Sequence, residues 1–100
     1  MKVVNIKTGQ QFTHYIGRCC YGYEESPFHN PYKTGTRKEK IQNFEKYARN
    51  NPELLLKIKE LPEGAILGCW CFPKSCHGDI IIKLWEEMNP RKELKNLLKF

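Results

Sequence analysis

Residues 65 to 72 read AILGCWCF, and the fold turns on that run. It is short, almost wholly apolar, and bounded by Gly64 and Pro73. That profile fits a strand buried on both faces, as in a parallel sheet. Residues two apart in a strand share a face, so Cys69 and Cys71 point together and Trp70 points away. Soon after, Ser75 or Cys76 opens a helix through DIIIKLWEEM. Its Ile80, Ile81, Leu84, Trp85 and Met88 are spaced for one broad apolar face.

Upstream, VVNIK (3 to 7) is β-branched and alternating, and FTHYIGR (12 to 18) sets Phe12, His14 and Ile16 against Thr13 and Tyr15. Both patterns predict strands. Residues 19 to 35 follow neither period and form a loop of about 17 residues, a length more typical of a functional segment than of a connector. Its aromatics Tyr21, Tyr23, Phe28 and Tyr32 argue that it packs. Thr36-Arg37-Lys38-Glu39 is a capping box, and Ile41, Phe44, Tyr47 and Ala48 make the stripe of the helix it opens. Asn51-Pro52 restarts a helix with Leu54, Leu55, Ile58 and Leu61 on its core face. After Asn89-Pro90, Leu94, Leu97 and Leu98 support a last short helix. The expected architecture is a single small α/β domain over residues 1–100, with a short, mostly parallel sheet of about three strands flanked by helices.

The sequence has 100 residues, enough for one modest core. Its 40% hydrophobic content is enough for a globular fold, and its 12% aromatic content argues against disorder. A net charge of +6 favours anionic partners. The basic residues are spread out, without the aromatic–basic repeat of a single-strand binder, so extended nucleic-acid binding is not expected. No apolar run approaches the ~20 residues of a bilayer span, and no secretory h-region is seen, so a cytoplasmic protein with no membrane partner is expected. Five cysteines in such a chain read as reduced thiols or ligands rather than a disulfide framework.

The chemistry concentrates in GCWCFPKSCHGD, residues 68 to 79. The carboxyl end of a central strand followed by a helix N-terminus is where open α/β sheets bind ligands, and its amides and dipole attract anions. Gly78 would let a ligand approach the backbone. A thiol in a first helical turn has a lowered pKa, making Cys76 the candidate nucleophile, and His77 is a candidate acid/base. Asp79 is placed to orient the histidine or the substrate. A second reading takes Cys69, Cys71, Cys76 and His77 as ligands of zinc or an iron–sulfur cluster. Against it, the C-x-C spacing is not the usual knuckle, and adjacent Cys76 and His77 would point apart. A third takes the cysteines as buried packing groups, Asp79 as a dipole partner and His77 as a capping side chain.

VVNI, YIGR, NPY, GTR before a helix, and LGCWC followed by Pro and CHGD together resemble the domain-of-unknown-function family numbered 4326, over about residues 3 to 86. The family comprises small proteins frequent in bacteria, phages and large viruses, and the resemblance implies no settled activity. It implies that Asn5, Arg18, Asn30, Arg37, Cys69, Cys71, Cys76, His77 and Asp79 belong to the family pattern. The chain departs from that pattern between YIGR and NPY, where CCYGYEESPFH is longer and lacks the usual tryptophan; Tyr21 and Tyr23 are the substitutes at hand.

Arg37 stands in a first helical turn, where the dipole disfavours a cation, which suits placement for a ligand. If Arg18, Asn30 and Arg37 converge on the Cys76-His77-Gly78 bend, the pocket suits a phosphate-bearing small molecule, a nucleotide or nucleotide-sugar, with Tyr21 stacking on a base and no cofactor required. The protein would then hydrolyse or sequester that ligand, with His77, Cys76 and Asp79 as the catalytic set in the first case. The alternatives are the metal protein and a phage or host protein-interaction module.

Overall fold

The computed structural model describes residues 1–18, 22–70 and 76–89. Strand β1 is Lys2–Asn5, β2 is His14–Tyr15 and β3 is Ile66–Cys69. All pair in parallel in the order β1-β3-β2, with Val3 opposite Leu67, Asn5 opposite Cys69, and Tyr15 opposite Gly68. The helices are α1 (Arg37–Arg49), α2 (Pro52–Lys59) and α3 (His77–Met88), and a short 3-10 turn covers Ile6–Thr8. This is a small α/β domain with a three-stranded, fully parallel open sheet. Among the described residues no helix is long and apolar enough to cross a membrane.

The helices begin where side chains satisfy their first amides. Thr36 Oγ1 accepts from Glu39 N at 3.1 Å while the Glu39 carboxylate accepts from Thr36 N at 3.0 Å. Asn51 Oδ1 accepts from Leu54 N at 3.2 Å, ahead of Pro52. Cys76 caps α3, its Sγ accepting from Gly78 N at 3.3 Å and its own amide donating to Asp79 Oδ2 at 3.3 Å. Each cap satisfies donors that would otherwise stay open.

One face of the sheet, carrying Val3, Leu67 and Cys69, joins Phe44, Ala48, Leu54, Ile58, Ile81 and Leu84 in the buried core. Trp85 closes it beside α2, its indole N–H donating to Leu61 O at 2.7 Å. The other face carries Gly68, and aromatics cover it. Tyr23 stacks on Tyr15 at 4.7 Å between ring centres and meets Phe12 edge-on at 5.7 Å. Both sheet faces are therefore closed, as the apolar run of β3 requires.

The second strand is shorter than its sequence pattern. Thr13 breaks it: Thr13 Oγ1 accepts from Ile66 N at 2.9 Å, where a strand backbone carbonyl would stand. Phe12 consequently lies over Gly68, on the Tyr15 side of the sheet rather than the Ile16 side. The crossing explains this. β1 and β2 run parallel on opposite sides of β3, so the chain between them must pass across β3. It does so on the face where residue 68 has no side chain. The expected strand over 3 to 7 also ends early, because Asn5 Oδ1 accepts from Lys7 N at 2.9 Å and turns the chain. The long loop packs through Phe28, which enters the core, and through buried Ser26, whose amide donates to Gly17 O at 3.0 Å. The expected helix after Pro90 and the residues Cys19, Cys20, Tyr21 and Cys71 lie outside the described residues.

Gly78 is where α3 meets the sheet. A Cβ there would stand 2.9 Å from both Ile16 Cδ1 and Val3 Cγ2, two core side chains with no room to retreat. Gly78→Ala should lose ~1–3 kcal/mol to overpacking, more than the ~1 kcal/mol that alanine offers a helix over glycine. Gly64→Ala, with nothing within 4 Å of its Cβ, should be neutral or slightly stabilising. Urea denaturation at constant slope checks both; an unchanged midpoint for Gly78→Ala would contradict the packing described.

Candidate functional site

The carboxyl ends of the three strands open onto a cavity of about 400 Å³. Lys7 reaches it from beyond β1, Gly17 and Arg18 from beyond β2, and Cys69 and Trp70 from β3. Asn30 and Tyr32 come from the long loop, Arg37, Lys40 and Ile41 from α1, and Cys76 and His77 from the start of α3. The volume lies in the range of small-molecule sites. Among the described residues of the wall four are cationic and none is a carboxylate.

Among the described residues, backbone carbonyls position the Arg18 side chain. Its Nε donates to Asn30 O at 3.0 Å and its Nη2 to Tyr32 O at 2.8 Å. Among the described residues it forms no ion pair. A guanidinium has five donors, so further N–H groups remain for a ligand. The loop that fixes Arg18 is itself fixed to α1. The Asn30 amide donates to Lys40 O at 3.1 Å and accepts from Tyr32 N at 3.0 Å. Asn30 thus shapes the wall and has both ends of its amide engaged. Arg37, Lys40 and Ile41 are three and four residues apart, which places them on one helical face.

His77 lies partly buried beneath the cavity. Its Nε2 is 2.8 Å from Ile16 O, it also hydrogen-bonds the Phe28 backbone, and its ring meets Phe44 edge-on at 5.0 Å. Burial is the main cause that pushes its pKa down to about 4; the carbonyls oppose this, and Arg18 and His29 add to it. The ring is therefore neutral near pH 7 and ties α3 to the end of β2 and to the loop. A proton transfer by Nε2 would require the bond to Ile16 O to open.

Cys69 and Cys76 are buried, with their sulfurs 3.6 Å apart. The expected set of Cys69, Cys71, Cys76 and His77 is represented among the described residues by these two sulfurs and an imidazole whose Nε2 faces a carbonyl; Cys71 lies outside them. Asp79 caps α3 through the Cys76 amide and borders an adjoining shallow groove with Arg37, rather than contacting the imidazole. Gly78 is absent from the cavity wall; its missing side chain serves the contact with Val3 and Ile16, and its amide is taken by Cys76 Sγ.

The structure thus brings Arg18, Asn30, Arg37, Cys76 and His77 to one cavity, with Cys69 beside them, and leaves Asp79 and Gly78 outside it. Sequence reasoning missed Lys7, Lys40 and Trp70. Lys40 carried a signal, standing one turn after Arg37 on the same face. Trp70 carried a misleading one. It alternates away from Cys69, yet it stands just past the end of β3 and lines the cavity, with Nε1 donating to Tyr15 Oη at 3.1 Å.

The family described as Domain of unknown function (DUF4326) matches residues 2–87 of the chain. No curated protein and no solved structure matches it.

The neutral His77 makes stability depend on pH. Its pKa is about 4 when folded against 6.5 unperturbed, so the unfolded chain binds a proton between those values that the folded chain does not. Its contribution is complete above about pH 6.5 and is lost as pH falls toward 4, on the order of 3 kcal/mol in all. His77→Gln, which cannot titrate, should flatten that part of the profile. Denaturation midpoints measured between about pH 7 and pH 4 test this; parallel profiles for the two proteins would refute it.

Proposed function

The chain belongs to the DUF4326 family, whose description names no activity, and we propose from the cavity itself that the protein recognises a phosphate-bearing small molecule, a nucleotide or nucleotide-sugar. The carrying observation is Arg18. A partly buried guanidinium held only by carbonyl oxygens keeps its positive charge uncompensated by any carboxylate among the described residues. Such a charge costs free energy until an anion pairs with it. Lys7, Arg37 and Lys40 on the same wall add to the positive field, which low-dielectric walls focus. Phosphate oxygens match a guanidinium fork in geometry as well as charge. Tyr32 and Trp70 offer aromatic surface at the same wall for the rest of the ligand.

The arrangement favours recognition over hydrolysis driven by His77, because that ring is neutral and its Nε2 is committed to Ile16 O. It also supports a ligand pocket over a docking face. Among the described residues the exposed large apolar side chains are Tyr23, Tyr32 and Leu56; Tyr23 stacks on Tyr15, Tyr32 meets Tyr47 edge-on, and Leu56 lies on α2.

Thermal shift with inorganic phosphate, nucleoside mono-, di- and triphosphates, cyclic nucleotides and ADP-ribose tests the reading. A ligand at 100 times its Kd should add ~2.7 kcal/mol of stability. Lys7→Ala and Lys40→Ala should each weaken it roughly ten-fold, the loss of one charge-assisted contact, without altering the unliganded Tm. Lys57→Ala, on α2 away from the cavity, should bind as the native protein does. No stabilisation by any of these anions, or equal affinity in all three variants, would overturn the proposal.

A further inference from the structure

Cys69 and Cys76 belong to different elements, the end of β3 and the cap of α3, yet their sulfurs stand 3.6 Å apart. Both residues are nearly inaccessible from outside, at 2% and 4% exposure, and both line the cavity. The cavity is thus a route by which a small reagent can reach them. Their environments differ. Cys76 Sγ accepts the Gly78 amide at the N-terminus of a twelve-residue helix, a place that stabilises a thiolate. The cationic wall acts in the same direction. Cys69 stands at the end of β3, with its sulfur facing that of Cys76.

We propose that Cys69 and Cys76 form a reversible dithiol–disulfide pair that reacts with a hydroperoxide, Cys76 attacking and Cys69 resolving. The inference goes beyond the anion-binding reading and stands without it. In the first step the Cys76 thiolate attacks one peroxide oxygen. The S–O bond forms, the O–O bond breaks, and the leaving alkoxide or hydroxide takes a proton to become alcohol or water. The product is a sulfenic acid on Cys76. In the second step the Cys69 thiolate attacks that sulfur. The S–S bond forms, the S–O bond breaks, and the sulfenic oxygen leaves as hydroxide, which becomes water by taking up the proton that Cys69 released on ionising. Two electrons pass from the two sulfurs to the peroxide. A dithiol reductant reverses the change by exchange. Closing the bond shortens 3.6 Å to about 2.05 Å, within reach of side-chain rotation. It also draws the cap of α3 toward β3, so the reaction moves one wall of the cavity.

The test uses the reduced full-length protein and stoichiometric hydrogen peroxide under native, anaerobic conditions. Intact mass should fall by about 2 Da and return with a dithiol reductant. Tryptic cleavage after Lys74 should leave the Cys69 and Cys76 peptides joined until reduction. The same link should form in Cys71→Ser, which excludes Cys71 as the resolving thiol. Cys69→Ser should stop at a sulfenic acid on Cys76 that dimedone traps, and Cys76→Ser should slow peroxide consumption about 100-fold. An unchanged mass with both thiols still alkylatable, a link to another cysteine, or full reactivity in Cys76→Ser would each overturn the proposal. The mass and linkage measurements need no variant, so the inference stays testable even if a substitution unfolds the chain.

Discussion

The N-terminal turn of α3 meets the sheet with no side chain between them at residue 78, and the rest of the cavity depends on that contact. Without a Cβ there, Val3 and Ile16 can pack directly against the helix backbone. Cys76 then falls beside Cys69, and the His77 imidazole falls against the Ile16 carbonyl. A helix displaced by the ångström or so that a methyl group requires would part all three contacts at once, because interiors are packed too closely to absorb the change. Glycine at 78 is thus a packing residue whose consequence is chemical: it sets where two thiols and an imidazole lie.

The wall opposite α3 is built by a different device. Three backbone carbonyls and one amide side chain fasten Arg18 to the loop and the loop to α1, at the oxygens of Asn30, Tyr32 and Lys40. Carbonyl oxygens orient a guanidinium without cancelling its charge, whereas carboxylates do both. The contrast within the protein is direct. Arg49, on the outer surface, is held by Glu45 and by a two-pronged contact to Glu87 at 2.9 and 3.0 Å, and there its charge is neutralised. That network joins α1 to α3, and Lys83 completes it. Glu45 and Glu87 are spent in tying α1 to α3, and among the described residues no carboxylate lines the cavity.

Much of this was legible because the chain announces its helix starts. Thr36 with Glu39, and Asn51 with Pro52, are local signals that no tertiary contact had to override. The apolar run of β3 announced its central place in the sheet. The second strand was misjudged because alternation was the only cue, and the Thr13 hydroxyl substitutes for a backbone group in a way that composition does not show. Arg18 reaches the cavity because parallel pairing sends the three carboxyl ends to one side, and the tie from Asn30 to Lys40 O brings α1, with Arg37, to the same wall. The fate of His77 was not legible. Whether a histidine at such a bend faces solvent or a carbonyl depends on where Ile16 and Phe28 lie, 61 and 49 positions earlier in the chain, and only the packed structure says.

His77 and the arginines divide two tasks that one charged group could not perform together. A protonated imidazole beneath Arg18 would add like charge and raise the cost of burying both. Kept neutral, the ring supplies hydrogen bonds and ring contact to Phe44 without electrostatic cost to its neighbour. The positive field in the cavity then rests on guanidinium and ammonium groups placed at its walls, and the seam below them is free to be apolar and tight. Positive charge at the walls and cohesion of the fold thereby fall to different residues, which is how a chain with one modest core can hold a cationic cavity at the edge of that core.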